Sequence, residues 1–341
     1  MNTISILARL PLYNISRKTG LHLAMPANYT YALTYRCTSR CKTCGIWKQN
    51  RREITAQQWK KIIDKTGKLP FWTTITGGNI FLRQDLNKIL SMIVRTNKPR
   101  ILNIPICGTH PKETLDKMRQ FMQETGNTQV ITNISIDGTI KTHDKIRGSK
   151  GDFSNTMQIF KELKKLQGKH KNLHVCTCTV ISKYNMNETD KIFSFLSDLK
   201  PDHAGFELAE HRKELSNPGD YVPGAKEQHD IYTKILQFQK KNKKNDLIGK
   251  NLLRQSYYRH MQDLLLGKNT VPCFAGIASI HVASDGTVWE CSNKASPIGN
   301  LLKDDLKTIL KGETAAKARA KTKGCSCGLT SAYYTSRLCT I

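Results

Sequence analysis

Nowhere in the chain do about 18 apolar residues run together, so no membrane-spanning helix is expected. The opening MNTISILARLPLYNISRKTG also lacks a continuous apolar stretch before a small-residue cleavage site. Its apolar positions are interrupted by Arg9, Arg17 and Lys18. Residues 1–25 therefore read as a short arm, and the chain as cytoplasmic. Acidic residues are scarce, 27 against 54 Lys and Arg, and the net charge of +27 favours anionic partners such as nucleic acid, anionic lipid or an acidic peptide. Aromatic residues are only 7% of the chain, and none interleave the basic runs KELKKLQGKHK and QKKNKKND, which argues against a base-stacking groove. Those lysines read as solvated helix faces.

Cysteine is not scarce. There are eleven, an odd number, and clustered cysteines in a cytosolic chain point to metal ligands before disulfides. Three stand in CTSRCKTC (Cys37, Cys41, Cys44), and four more are Cys273, Cys291, Cys325 and Cys327. Cys107, Cys176, Cys178 and Cys339 are scattered, and Cys176 and Cys178 share one strand face by alternation and read as core.

From residue 28 to 210 strand-like runs alternate with helix-like segments. NYTYALTYRC places Tyr29, Tyr31, Leu33 and Tyr35 on one face, with the cysteine loop directly after it. ITAQQWKKIIDKTG opens on Thr55 and Gln58 in capping-box spacing and stops at Gly67. FWTTITGG and DLNKILSMIVRTN make the second unit, the helix presenting Leu86, Ile89, Leu90, Ile93 and Val94 as one stripe. RILNIPICG, TQVITNISIDG and NLHVCTCTVIS follow, each with a helix, the last carrying Ile192, Phe195, Leu196 and Leu199. DHAGFELAE is a sixth strand. No repeat exists beyond this alternation. The class is α/β with a parallel sheet and chemistry at the C-terminal strand ends, although periodicity does not separate an open sheet from a partial barrel. Residues 216–270 read as a helical connection, and CFAGIASIHVASDGTVWEC as a hairpin around Ser284, Asp285 and Gly286.

Structural zinc takes four ligands, whereas CTSRCKTC supplies three cysteines and no histidine nearby. A 4Fe-4S cluster held by three thiolates leaves one iron without a protein ligand, free to accept a small molecule. With C-x3-C-x2-C directly after the first strand, the sequence resembles the radical S-adenosylmethionine (SAM) superfamily. That resemblance implies a partial (β/α)6 barrel over residues 26–215 and a SAM-binding 4Fe-4S cluster on Cys37, Cys41 and Cys44. It also implies reductive cleavage of SAM to a 5'-deoxyadenosyl radical that abstracts hydrogen from substrate, and a reducing donor such as flavodoxin or ferredoxin.

Further motifs carry the likeness. TGGNIFLRQDL resembles the family's glycine motif, in which Gly77, Gly78 and Asn79 would approach the SAM amino group and Arg83 and Asp85 continue the pattern. SIDGTIKTHDKIRG would put Ser135 and Asp137 near SAM and Arg147 against its carboxylate. Asn185 fits a polar residue beside the adenosine. Two segments depart from the pattern: Asn79 and Ile80 replace the usual acid and proline, and Ile106 and Cys107 replace a polar pair. An asparagine is expected to hold an ammonium less strongly than a carboxylate does.

The second cysteine group, in residues 271–341, resembles the first part of a SPASM or twitch extension. Cys273, Cys291, Cys325 and Cys327 would then hold an auxiliary 4Fe-4S cluster, although four thiolates also admit zinc. A C-terminal cysteine-rich module with one auxiliary cluster is the expectation. By analogy the substrate is a peptide. The alternative is a non-catalytic iron-sulfur or zinc protein whose basic surface binds nucleic acid or a protein partner.

Overall fold

The computed structural model describes residues 7–68, 71–217, 219–242 and 250–340. Residues 1–6 of the expected arm and 243–249 of the second lysine run lie outside them. After α1 (Leu10–Thr19), β1 (Asn28–Thr34) shows the alternation that organises the fold. Tyr29, Tyr31 and Leu33 are fully buried in the main core, while Thr30 lines the opposite, concave side.

Five more strands repeat the pattern. They are β2 (Trp72–Gly77), β3 (Ile101–Ile106), β4 (Gln129–Ser135), β5 (Leu173–Ile181) and β6 (Ala204–Leu208), each parallel to the one before. Their helices are α2 (Ala56–Thr66), α3 (Leu86–Met92), α4 (Pro111–Met122), α5 (Ile140–Arg147), α6 (Asp152–Lys169) and α7 (Thr189–Leu199). Leucine, isoleucine and aromatic residues fill the sheet face that meets the helices, whereas Thr74, Asn103, Asn133, Ser135, Cys178 and Glu207 line the concave side. A core built of parallel strands is normally apolar on both faces. The polar inner face marks the inside of this partial barrel as a site.

Local signals hold. Thr55 and Gln58 form a reciprocal capping box on α2, which stops at Gly67 with φ +62°. Leu86, Ile89, Leu90, Ile93 and Val94 are all buried, and the helix relaxes into a π turn over Ile93–Asn97. On α7 the buried aromatic is Phe193, with Phe195 partly buried against Phe153, because the stripe is wider than the sequence indicates. The short helix α5 lies in a segment whose sequence reads only as a motif.

The expected hairpin is present as β7 (Ser279–Val282) and β8 (Thr287–Trp289), with β9 (Pro297–Asn300) beside them. Before these strands come α8 (Ala225–Lys241) and α9 (Lys250–Leu265), and after them α10 (Leu306–Lys311), α11 (Glu313–Thr322) and α12 (Thr330–Leu338). β7 pairs parallel with β1, so the cysteine-rich module continues the barrel's own sheet in the order β6-β5-β4-β3-β2-β1-β7-β8-β9. The polar-looking connection buries Tyr232, Ile235, Phe238, Tyr257 and Tyr258 next to β6. α12 links the two sides of the barrel: Asn28 donates to Thr335 at 2.8 Å, and Thr330 donates to Glu207 at 2.5 Å. Among the described residues no helix is long and apolar enough to cross a membrane.

Candidate active site

The cysteine loop is clamped by backbone from two directions. Arg40 and Lys42 donate their N–H groups to the carbonyls of Arg147 and Ile146 at the end of α5, at 3.0 and 2.8 Å, and Gly45 donates to Leu215 at 2.8 Å. Gly148, at φ +62°, lets the chain pass under Arg40, where a Cβ would lie 2.6 Å from the Arg40 carbonyl oxygen. Arg83 braces the base of the loop, donating to Leu33 and Ile54 carbonyls at 2.9 Å each and pairing with Asp85 at 2.8 Å. Cys37 and Cys44 both act electrostatically on Cys41, so the three thiols converge. Burial pushes Cys41 up to about 12 and Cys44 up to about 11.

Thiols so disfavoured as bare thiolates need a positive centre before they ionise. Yet among the described residues no three His, Cys, Asp or Glu side chains stand close enough to share one metal ion. Around a tetrahedral zinc, sulfurs would be about 3.8 Å apart, from a bond of about 2.3 Å. Three thiols with no histidine among them are one donor short of a structural zinc site and match the number that leaves one iron of a 4Fe-4S cluster open.

The glycine pair packs where the sequence did not indicate. Gly78 and Asn79 donate their N–H groups to Thr34 and Arg36 carbonyls at 2.7 and 2.8 Å, and a Cβ on Gly77 or Gly78 would collide with those same two oxygens. Their closeness to backbone is closeness to the cysteine loop's own approach. Asn79 accepts from Phe81 N at 3.0 Å and donates to Thr109 at 2.9 Å, and the Thr109 hydroxyl lies 3.1 Å from the Cys107 sulfur. Cys107 in turn interacts electrostatically with Cys37 and Arg147, which places it beside the three-cysteine loop, where burial raises it.

At the end of β4, Asp137 pairs with Arg147 at 2.8 Å and accepts from Val180 N at 2.8 Å. Burial alone would lower Arg147; Asp137, then Cys41 and Asp152, more than reverse it. Its Nη1 lies 3.7 Å from Cys41 Sγ, and its Nε is buried with no hydrogen-bond partner. Asp137 N donates to His143 Nδ1 at 3.0 Å, so His143 Nε2 carries the proton toward Asp152, 2.8 Å away. The amide of Asn185 is spent internally: Nδ2 donates to Asp137 and Val180 carbonyls at 2.8 and 2.9 Å, and Oδ1 accepts from Ser182 N at 2.7 Å. Ser135 lines the barrel's interior cavity of about 820 Å3, together with Cys178, Glu207, Arg212 and Glu214. Cys178 is thus a cavity residue, while Cys176 is buried. Sequence reasoning missed His143 and Asp152, although His143 stands inside the quoted motif. Nothing local flagged Glu207, Arg212 or Glu214.

Cys273, Cys325 and Cys327 gather as one group. A hydrogen bond from Cys325 lowers Cys273, and the contact with Cys325, then burial, raises Cys327. Burial pushes Cys291 up to about 12, and Cys327 acts on it electrostatically. Backbone N–H groups of Ala275 and Lys294 reach the sulfurs of Cys273 and Cys291 at 3.5 and 3.4 Å, as second-layer donors to cluster thiolates do. Cys339 lies elsewhere, in an apolar cluster with Tyr13, Phe274 and Ile277. One turn, Lys213–Leu215, joins the two cysteine sites: Leu215 accepts from Gly45, while Lys213 and Glu214 donate to Asn293 and Ser292 at 3.1 and 3.3 Å.

Comparison with known proteins agrees with this arrangement. The model of the radical SAM superfamily matches residues 31–196, and that of the SPASM iron-sulfur cluster-binding domain matches residues 273–328. The chain is 24% identical over 306 residues to the sporulation killing factor maturation protein SkfB of Bacillus subtilis, covering 89% of this chain and 69% of that one. It is 28% identical over 159 residues to the subtilosin biosynthesis protein AlbA of the same organism, covering 46% of this chain and 34% of that one. Among solved structures, anSMEcpe with bound AdoMet and Cp18Cys peptide superposes with a TM-score of 0.63 at 14% identity, covering 88% of this chain and 84% of that one. Streptococcus suis SuiB bound to precursor peptide SuiA superposes at 0.64 and 14% identity, covering 97% and 76%. With a partial barrel, a three-cysteine loop at the end of β1 and a second thiol group in the module, the chain carries a radical SAM superfamily domain over residues 31–196 and a C-terminal SPASM iron-sulfur cluster-binding domain over residues 273–328.

Proposed function

We propose that this radical SAM enzyme modifies a peptide, and that Cys37, Cys41 and Cys44 hold its SAM-binding 4Fe-4S cluster while Cys273, Cys291, Cys325 and Cys327 hold the auxiliary one. When bound, cluster and SAM supply a 5'-deoxyadenosyl radical that takes a hydrogen atom from substrate. The chain's own part is binding, orientation and exclusion of water. Arg147, with one buried N–H unspent, offers a donor to an anionic group beside Cys41. Asp137 keeps that guanidinium in place, and Asn185 and His143 keep Asp137 in place. Gly77, Gly78 and Asn79 hold the loop's approach against β2, and Ser135 opens the SAM region to the cavity.

The cavity is the observation that carries the peptide reading. At about 820 Å3 it accepts one side chain with its flanking backbone, and its mainly apolar wall is set with amides, hydroxyls and charges. The names of the relatives and structural neighbours, which include maturation proteins and peptide complexes, point the same way. Electrons are proposed to come from a flavodoxin or ferredoxin. The alternative, a non-catalytic metal protein binding nucleic acid, has only the basic charge in its favour.

Anaerobic reconstitution followed by iron analysis should give about eight irons per chain, four for each cluster. With reductant and SAM, 5'-deoxyadenosine should form and should vanish in the Cys37→Ala, Cys41→Ala, Cys44→Ala variant. A deuterated small peptide encoded beside the enzyme should pass deuterium into 5'-deoxyadenosine; deuterium transfer from none of the neighbouring peptides would overturn the peptide reading.

A further inference from the structure

Among the described residues, one guanidinium of the barrel interior has no carboxylate partner. Arg254, on α9, reaches across to β6 at Gly205, where its Nη1 occupies the space a Cβ would need. Gly205 pairs with Cys178 on β5, and Cys178 pairs with Ser135 on β4, so Arg254 closes a row that begins beside the SAM motif. All three of Ser135, Cys178 and Arg254 line the same cavity.

Carboxylates are nearby, but each is engaged elsewhere. Glu207, which β6 turns to the same face, takes Thr330 on one oxygen at 2.5 Å and Arg212 on the other at 3.3 Å. Glu210 belongs to Arg212 as well, at 2.7 Å. Among the described residues Arg254 forms no ion pair; its neighbours are the Tyr334 ring, 5.9 Å from the guanidinium carbon, and the Tyr258 phenol. Burial holds both phenols and the Cys178 thiol above their ordinary values, so none of them is an anion at neutral pH. A half-buried guanidinium with no carboxylate partner among the described residues, in a cavity with room beside it, is suited to bind an anion.

We propose that Arg254 is the anion-binding subsite of the substrate cavity and receives a carboxylate of the peptide, from either an acidic side chain or the C-terminus. This rests on the peptide reading above and narrows it to peptides that can present a carboxylate two strands from Ser135. Planar bidentate recognition explains why an arginine serves here. Gly205 makes the approach possible, since any side chain at that position would displace the guanidinium.

Affinity selection with mass spectrometry tests this on the full chain with both clusters in place. Two pools of randomised nine-residue peptides are offered, one amidated and one with free C-termini, in about 0.5 M salt so that surface charge is screened to within a few ångströms. Wild type should enrich peptides with Asp or Glu at one fixed position about tenfold over their Asn and Gln counterparts, as one charge-assisted pair allows. If free-acid peptides are enriched about tenfold over amidated ones with no Asp or Glu preference, the terminal carboxylate is the ligand, and the inference stands. Arg254→Gln should lose the preference, Arg254→Lys should recover part of it, and Lys161→Gln, an exposed change on α6, should leave it intact. SAM cleavage without peptide should be unchanged in Arg254→Gln. Equal enrichment from both pools without acidic preference overturns the subsite but leaves the peptide reading standing. No enrichment from either pool overturns both, and loss of peptide-free SAM cleavage in Arg254→Gln assigns the residue to SAM and overturns the inference.

Discussion

Glu214 and His281 face each other 3.1 Å apart, both almost fully buried, at the seam between the barrel and the cysteine-rich module. Trp289 stacks on the imidazole with ring centres 4.9 Å apart, and Glu214 also acts on Cys44. The pair joins a turn next to the first cysteine group to the strand that begins the module.

Glu214 carries a pH dependence of stability. Burial would raise its carboxyl, but His281, then Arg212 and Ser292, hold it below the usual range. A depressed carboxyl contributes stability in full above its unfolded value, near 4.3, and loses it as pH falls through the lower folded value. Urea unfolding of the cluster-free chain should therefore find Glu214→Gln less stable at pH 7 by about 3 kcal/mol, as for removal of one charge from a buried ion pair. The gap should narrow below pH 4. A gap unchanged down to pH 3.5 would assign the effect to packing instead.

Gly78 and Gly67 give contrasting outcomes for the same substitution. A Cβ at Gly78 meets the Arg36 carbonyl oxygen, which cannot yield without moving the cysteine loop, whereas at Gly67 nothing lies within 4 Å. Gly78→Ala should lose about half the bound iron after reconstitution, the share of one of two clusters. Gly67→Ala should keep all of it and cost about 1 kcal/mol for its positive φ. Iron analysis and thermal unfolding on both variants check this.

Asn185 is expected to act by holding two strand ends together. Replacement by leucine strips donors from the Asp137 and Val180 carbonyls and an acceptor from Ser182 N, all in a buried setting. The cost should be about 2–4 kcal/mol, from unsatisfied buried groups. Equilibrium unfolding measures it, and it should be present without SAM; a variant as stable as wild type but weak in SAM binding would give Asn185 a direct contact instead.

These residues show where sequence was a sufficient guide. Tyr29, Tyr31 and Leu33 disclose β1, and Thr55 with Gln58 discloses the start of α2, because alternation and capping are local. The three-cysteine spacing is local too, and it led to the family. Glu214 and His281 are 67 positions apart and meet only because β7 pairs with β1. Arg254 belongs to a helix whose polar sequence conceals Tyr257 and Tyr258 in a core, and its target is a glycine, which leaves no pattern to detect. The glycine pair was legible as a close backbone approach, but the partner, Arg36 and not a ligand alone, required the fold.

The module's cysteines divide sharply in what they should do to iron content. Cys291 receives a backbone N–H and shares its surroundings with Cys327, while Cys339 is 4% exposed among Tyr13, Phe274 and Ile277. Cys291→Ala should lower iron from about eight to about four per chain, since a cluster short of one thiolate is not retained. 5'-Deoxyadenosine formation without peptide should persist, because the three-cysteine loop keeps its clamps on α5 and Leu215. Cys339→Ala should retain about eight irons and lose only about 1 kcal/mol of stability, as for a small buried side chain shortened by one atom. Iron loss in Cys339→Ala, with Cys291→Ala unaffected, would show that the auxiliary ligand set has been drawn from the wrong thiols.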